Sequence, residues 1–212
     1  MKIAVSYLKS KFSKAQTLHL IEKTSADYIH VDLMDGGCVP NKNFSMKEVL
    51  ADLENHKKPI DIHLMVFDPI IYIHDLAKLH PNYVTFHIEA TKEVVKTIEE
   101  IRKYDIKVGL SIKPETDLYE LMPYLSLVDL VLVMSVEPGR GGQSFIPFSV
   151  NRLEELLKIR EENHLNFLIE MDGGINSDTI QLVSSVDIAV SGSFVCMSDD
   201  FQLKIDELQR KS

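Results

Sequence analysis

The stretch His30–Asn41, HVDLMDGGCVPN, reads as the interior of a sheet that carries the wrong residues for one. Successive side chains of an extended chain alternate between faces, so His30, Asp32 and Met34 share one side. Val31 and Leu33, with Ile29 before them, share the other. One face packs; the other offers an imidazole and a carboxylate. Burying either is costly unless it is hydrogen-bonded, paired or bound to a metal ion. The strand is therefore expected to present His30 and Asp32 to a ligand.

Seven other short apolar or alternating runs accompany this one: KIAVSY (2–7), IDIHLMV (60–66), YVTFHIE (83–89), KVGLSI (107–112), LVLVMSV (130–136), NFLIEMD (166–172) and DIAVSGS (187–193). Helical periodicity fills the gaps, most plainly in TKEVVKTIEEIRKYD (91–105) and PFSVNRLEELLKIREEN (147–163). Strands alternating with helices imply parallel βαβ units, and eight of them without a linker or repeat predict an α/β protein. The expected fold is one closed (β/α)8 barrel over residues 1–212. An open doubly wound sheet is the alternative, but no G-x-G-x-x-G follows the first strand.

Barrel enzymes work at the C-terminal ends of their strands. Polar residues collect there: Ser6 on the first, His30, Asp32 and Asp35 on the second, His63 on the third, His87 and Glu89 on the fourth, and Asp172 on the seventh. The N-terminal ends read as bare of such a collection. DIHLMV repeats the opening pattern, with Asp61, His63 and Met65 on one face, and IEMDGG places Asp172 just before a glycine turn. Two imidazoles, His30 and His63, and two carboxylates, Asp32 and Asp172, suit one divalent ion such as Zn, Fe(II), Mn or Co. His19, His56, His74, His80 and His164 lie in helical or connecting segments and receive no chemistry, and His87 reads as structural.

Glycine-rich turns follow the last two strands. Gly173, Gly174, Gly192 and Ser193 are candidate phosphate ligands, because side-chain-free backbone lets amide groups close on an anion. VEPGRGGQSF (136–145) has the composition of a lid that closes over a reaction and keeps water out.

Composition narrows the partners. The net charge of −9 argues against a nucleic-acid or anionic-membrane surface. The opening MKIAVSYLKSKF has too short an apolar run for a signal segment, and no run approaches the ~18 apolar residues of a membrane span, so a cytoplasmic protein is expected. Cys38 and Cys196 are far apart and suggest neither a disulfide framework nor a zinc knuckle.

Taken in order, HVDLMDGxxVPN, DIHLMV, FHIEA, KVGLSIKPET, LVLVMSVEPGxGGQ, IEMDGGIN and SGS resemble the signature of the ribulose-phosphate 3-epimerase family, from Ser6 to Ser193. The resemblance implies a metal-dependent (β/α)8 enzyme that inverts C3 of a ketose phosphate. It would interconvert D-ribulose 5-phosphate and D-xylulose 5-phosphate through an enediolate. His30, Asp32, His63 and Asp172 would hold the metal, and Asp32 and Asp172 would also move the proton, one on each face of the sugar. Ser6 and His63 would meet substrate oxygens, and Gly139, Arg140, Gly141 and Gly142 would form the lid. Asp172, Gly173, Gly174, Gly192 and Ser193 would bind the distal end. Met34, Met65 and Met134 resemble the family's methionines around the intermediate, a polarizable wall that excludes water. A homo-oligomer is expected on the same ground.

Three places depart from the pattern. Gly37 and Cys38 stand where a histidine and a phenylalanine are usual, Asn43–Met46 replaces a segment that usually runs toward Gly-Pro, and Arg140 replaces a phenylalanine in the lid. None touches the four ligands. Lost bulk and a gained cation leave room for a longer substrate, so D-allulose 6-phosphate is the alternative. A non-catalytic phosphosugar-binding protein is the alternative of another class, although it would not need two opposed acid/base groups.

Overall fold

All eight apolar runs become strands in the computed structural model, which describes residues 1–212. They are β1 (Lys2–Ser6), β2 (Tyr28–Met34), β3 (Ile60–Met65), β4 (Tyr83–His87), β5 (Lys107–Ile112), β6 (Leu130–Met134), β7 (Leu168–Asp172) and β8 (Ile188–Ser191). Each pairs in parallel with its neighbours in chain order, and β8 returns to β1 to close a barrel. The open-sheet alternative is thereby excluded.

Alternation decides which side chains fill the interior. Ala4, Tyr28, Tyr83, Leu130, Leu132, Ile188 and Val190 pack inside its lower half, while outward residues such as Ile29, Val31, Ile62, Val84 and Ile169 meet the surrounding helices. Those helices are α1 (Lys14–Glu22), α2 (Met46–Leu53), α3 (Ile70–Leu76), α4 (Val94–Arg102), α5 (Ser149–Glu162), α6 (Ser193–Cys196) and α7 (Phe201–Lys211). Their starts are written in the sequence. Ser13 and Gln16 form a capping box on α1, and Ser45 and Asp200 cap α2 and α7 by accepting from Glu48 N and Leu203 N.

The strict alternation of strand and helix fails in two crossovers. Between β5 and β6 there are only short 3-10 turns, Leu118–Leu121 and Leu125–Leu127, and between β7 and β8 only Ile180–Val183. Pro123 separates the first two, and a proline neither donates to a helix nor lets its predecessor settle readily in one.

The N-terminal ends of the strands are not bare either. Asp27, Asp129 and Asp187 each stand one residue before an even-numbered strand, and each accepts the backbone N–H of the preceding strand, from Ile3 (2.9 Å), Val108 (2.9 Å) and Ile169 (2.8 Å). Three repeats of the same device, in ADY, VDL and VDI, tie the bottom of the barrel and leave the top for chemistry.

Candidate active site

The register of β2 on β3 pairs His30 with Asp61, Asp32 with His63 and Met34 with Met65, all facing inward. β7 adds Asp172 opposite Met134 of β6. His63 Nδ1 lies 3.1 Å from Asp32 Oδ1 and 3.9 Å from Asp172 Oδ2, and His30 Nε2 lies 3.5 Å from Asp32 Oδ1. One donor atom from each of His30, Asp32, His63 and Asp172 falls within 4.8 Å of all the others. His30 Nε2 is buried and has no hydrogen-bond partner. An orphaned nitrogen of that kind is expensive in a core unless a cation takes its lone pair. Two nitrogens and two carboxylates at this spacing fit a divalent metal ion and leave its identity open.

The two carboxylates have opposite electrostatics. Burial raises Asp32, but the adjacent His30 and His63 outweigh it and hold its pKa well below the usual range. Burial, then the charge of Asp32, pushes Asp172 up to about 7. Pairs of titratable groups whose environments drive them apart are how one site supplies an acid and a base at the same pH.

Behind this layer lie two carboxyl groups outside the four-residue set. Asp61 and Glu170 are fully buried. Asp61 Oδ2 sits 2.6 Å from His30 Nδ1 and so orients the ring that points Nε2 at the site. Burial and the neighbouring Asp61 carboxylate raise Glu170 well above the ordinary glutamate value, so it stands as a carboxylic acid beside Asp61. Alternation is the signal that finds both residues, since Asp61 precedes His63 by two and Glu170 precedes Asp172 by two.

The remaining expected residues fall at one mouth. Ser6 Oγ donates to Asp32 Oδ2 at 2.6 Å and accepts from Leu8 N at 3.3 Å. A cavity above the carboxylates is lined by Ser6, Asp32, Met65, Met134, Asp172, the run Gly139–Gly142, and Gly173, Gly174, Gly192 and Ser193. His30 and His63 are buried behind it, and Met34 packs with Val39 and Met65. Gly173 adopts φ +121° with Val136 against its α-carbon, and Gly174 adopts φ +67°, conformations that a side chain would strain. Ser135, which lies in the LVLVMSV run but receives no role from sequence, donates from Oγ to the carbonyls of Asp172 (2.9 Å) and Gly173 (2.6 Å) and fixes this turn.

The loop after β6 lies across the mouth. Asn41 Nδ2 donates to Gly139 O at 2.6 Å, and Gln143 Nε2 donates to Glu137 O (2.6 Å) and Arg140 O (2.9 Å). Arg140 is exposed. Asp35 organises the loop after β2, accepting from Gly37 N (2.8 Å), Phe67 N (3.1 Å) and Tyr72 OH (3.1 Å). Gly37 runs so close to Phe67 that a Cβ there would sit 2.5 Å from the phenylalanine Cβ, which accounts for the glycine. Cys38 packs beside Met34, Val39 and Met65 at the edge of the mouth.

Comparison with solved structures returns the fold. 3-Hexulose-6-phosphate synthase from Salmonella typhimurium superposes with a TM-score of 0.72 at 18% identity, covering 100% of this chain and 98% of that one. Phosphoribosyl anthranilate isomerase from Thermus thermophilus gives 0.71 at 13%, covering 100% of both chains. Sequence relatives go further. The ribulose-phosphate 3-epimerase of Mycobacterium leprae (strain TN) is 37% identical over 212 residues, covering 99% of this chain and 94% of that protein. That of Treponema pallidum (strain Nichols) is 37% identical over 194 residues, covering 90% of this chain and 89% of that protein. The model of the ribulose-phosphate 3 epimerase family matches residues 2–196, and with the metal-ligand layer and the glycine turns on one mouth, the chain belongs to that family.

Proposed function

We propose that this chain is a metal-dependent ketose-phosphate 3-epimerase that interconverts D-ribulose 5-phosphate and D-xylulose 5-phosphate through an enediolate, with residues 1–212 as its catalytic domain. The observation that carries the reading is the meeting of Asp32 and Asp172, from non-adjacent strands and with divergent proton affinities, in the layer that also holds His30 and His63.

Inverting a carbon next to a carbonyl takes a base on one face and an acid on the other. Asp32, held ionised by two imidazoles and oriented by the Ser6 hydroxyl, suits removal of the C3 proton. Asp172, across the site on β7, suits return of a proton from the other side, and the roles exchange in the reverse direction. A divalent ion on His30, Asp32, His63 and Asp172 would supply the positive charge that stabilises the substrate oxygens as electron density moves onto them. Met65 and Met134 give the flat intermediate an apolar wall, and the Gly139–Gly142 loop excludes water over it. The backbone of Gly173, Gly174, Gly192 and Ser193 takes the phosphate.

The metal-replete protein with ribulose 5-phosphate in D2O, followed at C3 by proton NMR, tests the reading. Xylulose 5-phosphate carrying deuterium at C3 is the expected product. Arg140, a cation lining the mouth, favours a second reading, in which the better substrate is D-allulose 6-phosphate. A higher kcat/KM for the hexulose would establish it, and inertness toward both sugars with retained binding would point to a phosphosugar-binding protein. With the first reading goes a cytoplasmic homo-oligomer, for which sedimentation equilibrium is the direct test. No helix is long and apolar enough to cross a membrane.

A further inference from the structure

Three lysines follow β1 in the run KSKFSK (9–14), and two of them have acidic partners. Lys11 pairs with Asp199, and Lys14 Nζ lies 3.0 Å from Asp52 Oδ2. Lys9 is exposed, and its ammonium makes neither an ion pair nor a hydrogen bond. Glu137 borders the same opening without pairing to it.

The loop that carries Lys9 is held on one side by the last crossover. Val5 of β1 pairs with Ser191 of β8, and the Ser6 carbonyl comes within 3.2 Å of where a Cβ would stand on Gly192. Ser10 Oγ and Lys11 N both donate to Cys196 O, at 3.1 and 3.3 Å, and Cys196 Sγ donates to Ser6 O at 3.4 Å. The loop is thus strapped to α6 and rises beside the turn to which the phosphate is assigned. On its other side Lys9 meets the lid. A Cβ added at Gly141 would fall 2.9 Å from Lys9 Cβ, and one added at Gly142 would fall 2.4 Å from Lys9 Nζ. These two glycines therefore lie directly along the lysine stem. Lys9 stands between the phosphate turn and the lid, lining the cavity that also holds Ser6, Gly174, Gly192 and Ser193.

Backbone amides orient a phosphate but bring only partial charges to it. A phosphate monoester carries about −1.5 to −2 charge at neutral pH, and this chain already has a net charge of −9. A lysine offers the missing full charge as a point donor on a flexible stem. Arg140 is the other cation lining the cavity, but it rides on the lid. Lys9 is anchored to the barrel and needs no closure to meet the anion.

We propose that Lys9 is a substrate-binding residue that holds the phosphate of the ketose phosphate between the glycine turns and the lid, and so sets the preference for phosphorylated over free sugars. The inference rests on the phosphosugar reading proposed above.

The test uses the full-length protein and ribitol 5-phosphate, which carries the phosphate but no carbonyl and so binds without reacting. Ribitol is the phosphate-free control. Lys9→Met keeps a long stem beside Gly141 and Gly142 and removes the charge. Calorimetry should show ribitol 5-phosphate bound about tenfold more weakly, toward the low end for a charge-assisted hydrogen bond because the ammonium is open to water. Wild-type affinity should fall as NaCl is raised, and the slope should be shallower in Lys9→Met, since salt screens an exposed charge pair. Lys14→Met removes the same charge from α1, outside this cavity, and should leave the affinity within about twofold of wild type.

Affinity within about twofold of wild type in Lys9→Met, or an unchanged salt dependence, overturns the proposal. So does an equal loss in Lys14→Met, since net charge and not contact would then explain it. The two levels of inference separate in the wild type. A protein that binds ribitol 5-phosphate no better than ribitol removes the phosphosugar reading and this proposal together, whereas phosphate-dependent binding that survives Lys9→Met removes this proposal alone.

Discussion

Asp172→Asn keeps the size and planar shape of the side chain and removes one of the two proposed proton carriers. Asp172 stands on β7 and Asp32 on β2, and their environments drive their pKa values apart, so neither duplicates the other. A positioned general acid or base contributes about 10²–10⁴ in rate, equivalent to about 3–5 kcal/mol of barrier. Epimerisation of ribulose 5-phosphate should therefore fall by about 10³-fold at saturating Zn2+. Asp32 remains, hydrogen-bonded to Ser6 and flanked by His63, so proton removal from its own face should outlast inversion. In D2O the variant should wash deuterium into C3 of one epimer faster than the other epimer appears, whereas the wild type does both together. Proton NMR of the C3 signal reads both rates in one tube. Turnover within tenfold of wild type would refute the assignment. Loss of exchange along with inversion, at saturating Zn2+, would place the defect in the ligand layer and not in proton transfer.

Gly109 faces inward on β5, where an added Cβ would come within 2.8 Å of the Thr85 Cβ as well as against its hydroxyl. Gly109→Ala should cost about 1–3 kcal/mol in urea unfolding, and Thr85→Ala in the same chain should recover part of it, so simple additivity would contradict the packing account. Glu170 stands as an acid with both oxygens free of donors, so Glu170→Gln should change stability by less than about 1 kcal/mol. Asp61→Leu orphans His30 Nδ1 and should cost about 1–3 kcal/mol and weaken Zn2+ binding; equal effects from the two variants would contradict this ordering. Asp172 must lose its proton to bind a cation, so Zn2+ affinity should rise with pH through about 7, with proton release visible by calorimetry in buffers of different ionisation heat. The sign reverses for folding without metal. A carboxyl whose folded pKa is raised binds protons more tightly folded than unfolded, so its contribution is largest at low pH and is lost as pH climbs from about 4 to 7. Wild type should show that slope relative to Asp172→Asn, and parallel stability curves would count against it.

Much of this molecule is legible in its residues alone. Strand alternation predicts eight strands, and the same two-residue period places His30, Asp32, His63 and Asp172 on inward faces at the barrel mouth. That succeeds because a barrel strand has only two sides, and a polar residue on the inner side needs a reason to be there. Crossover helices are less legible. Two of them are only short 3-10 turns, since a crossover needs something to cover the sheet and not a full helix. The aspartates at the strand bottoms escape a sequence reading because each works through a neighbouring strand's N–H, a partner about twenty residues away.

The sequence by itself determined the family, the barrel and the gathering of His30, Asp32, His63 and Asp172 at its mouth, because all three depend on residue type at local spacing. Only the tertiary structure decided how that gathering is supported. Asp61 and Glu170 behind His30 acquire meaning from distances between strands, and so does the split in proton affinity between Asp32 and Asp172. Hydrogen-bond direction and electrostatics act through space, and closing the barrel brings these charges to within a few ångströms of one another in an interior from which water is excluded.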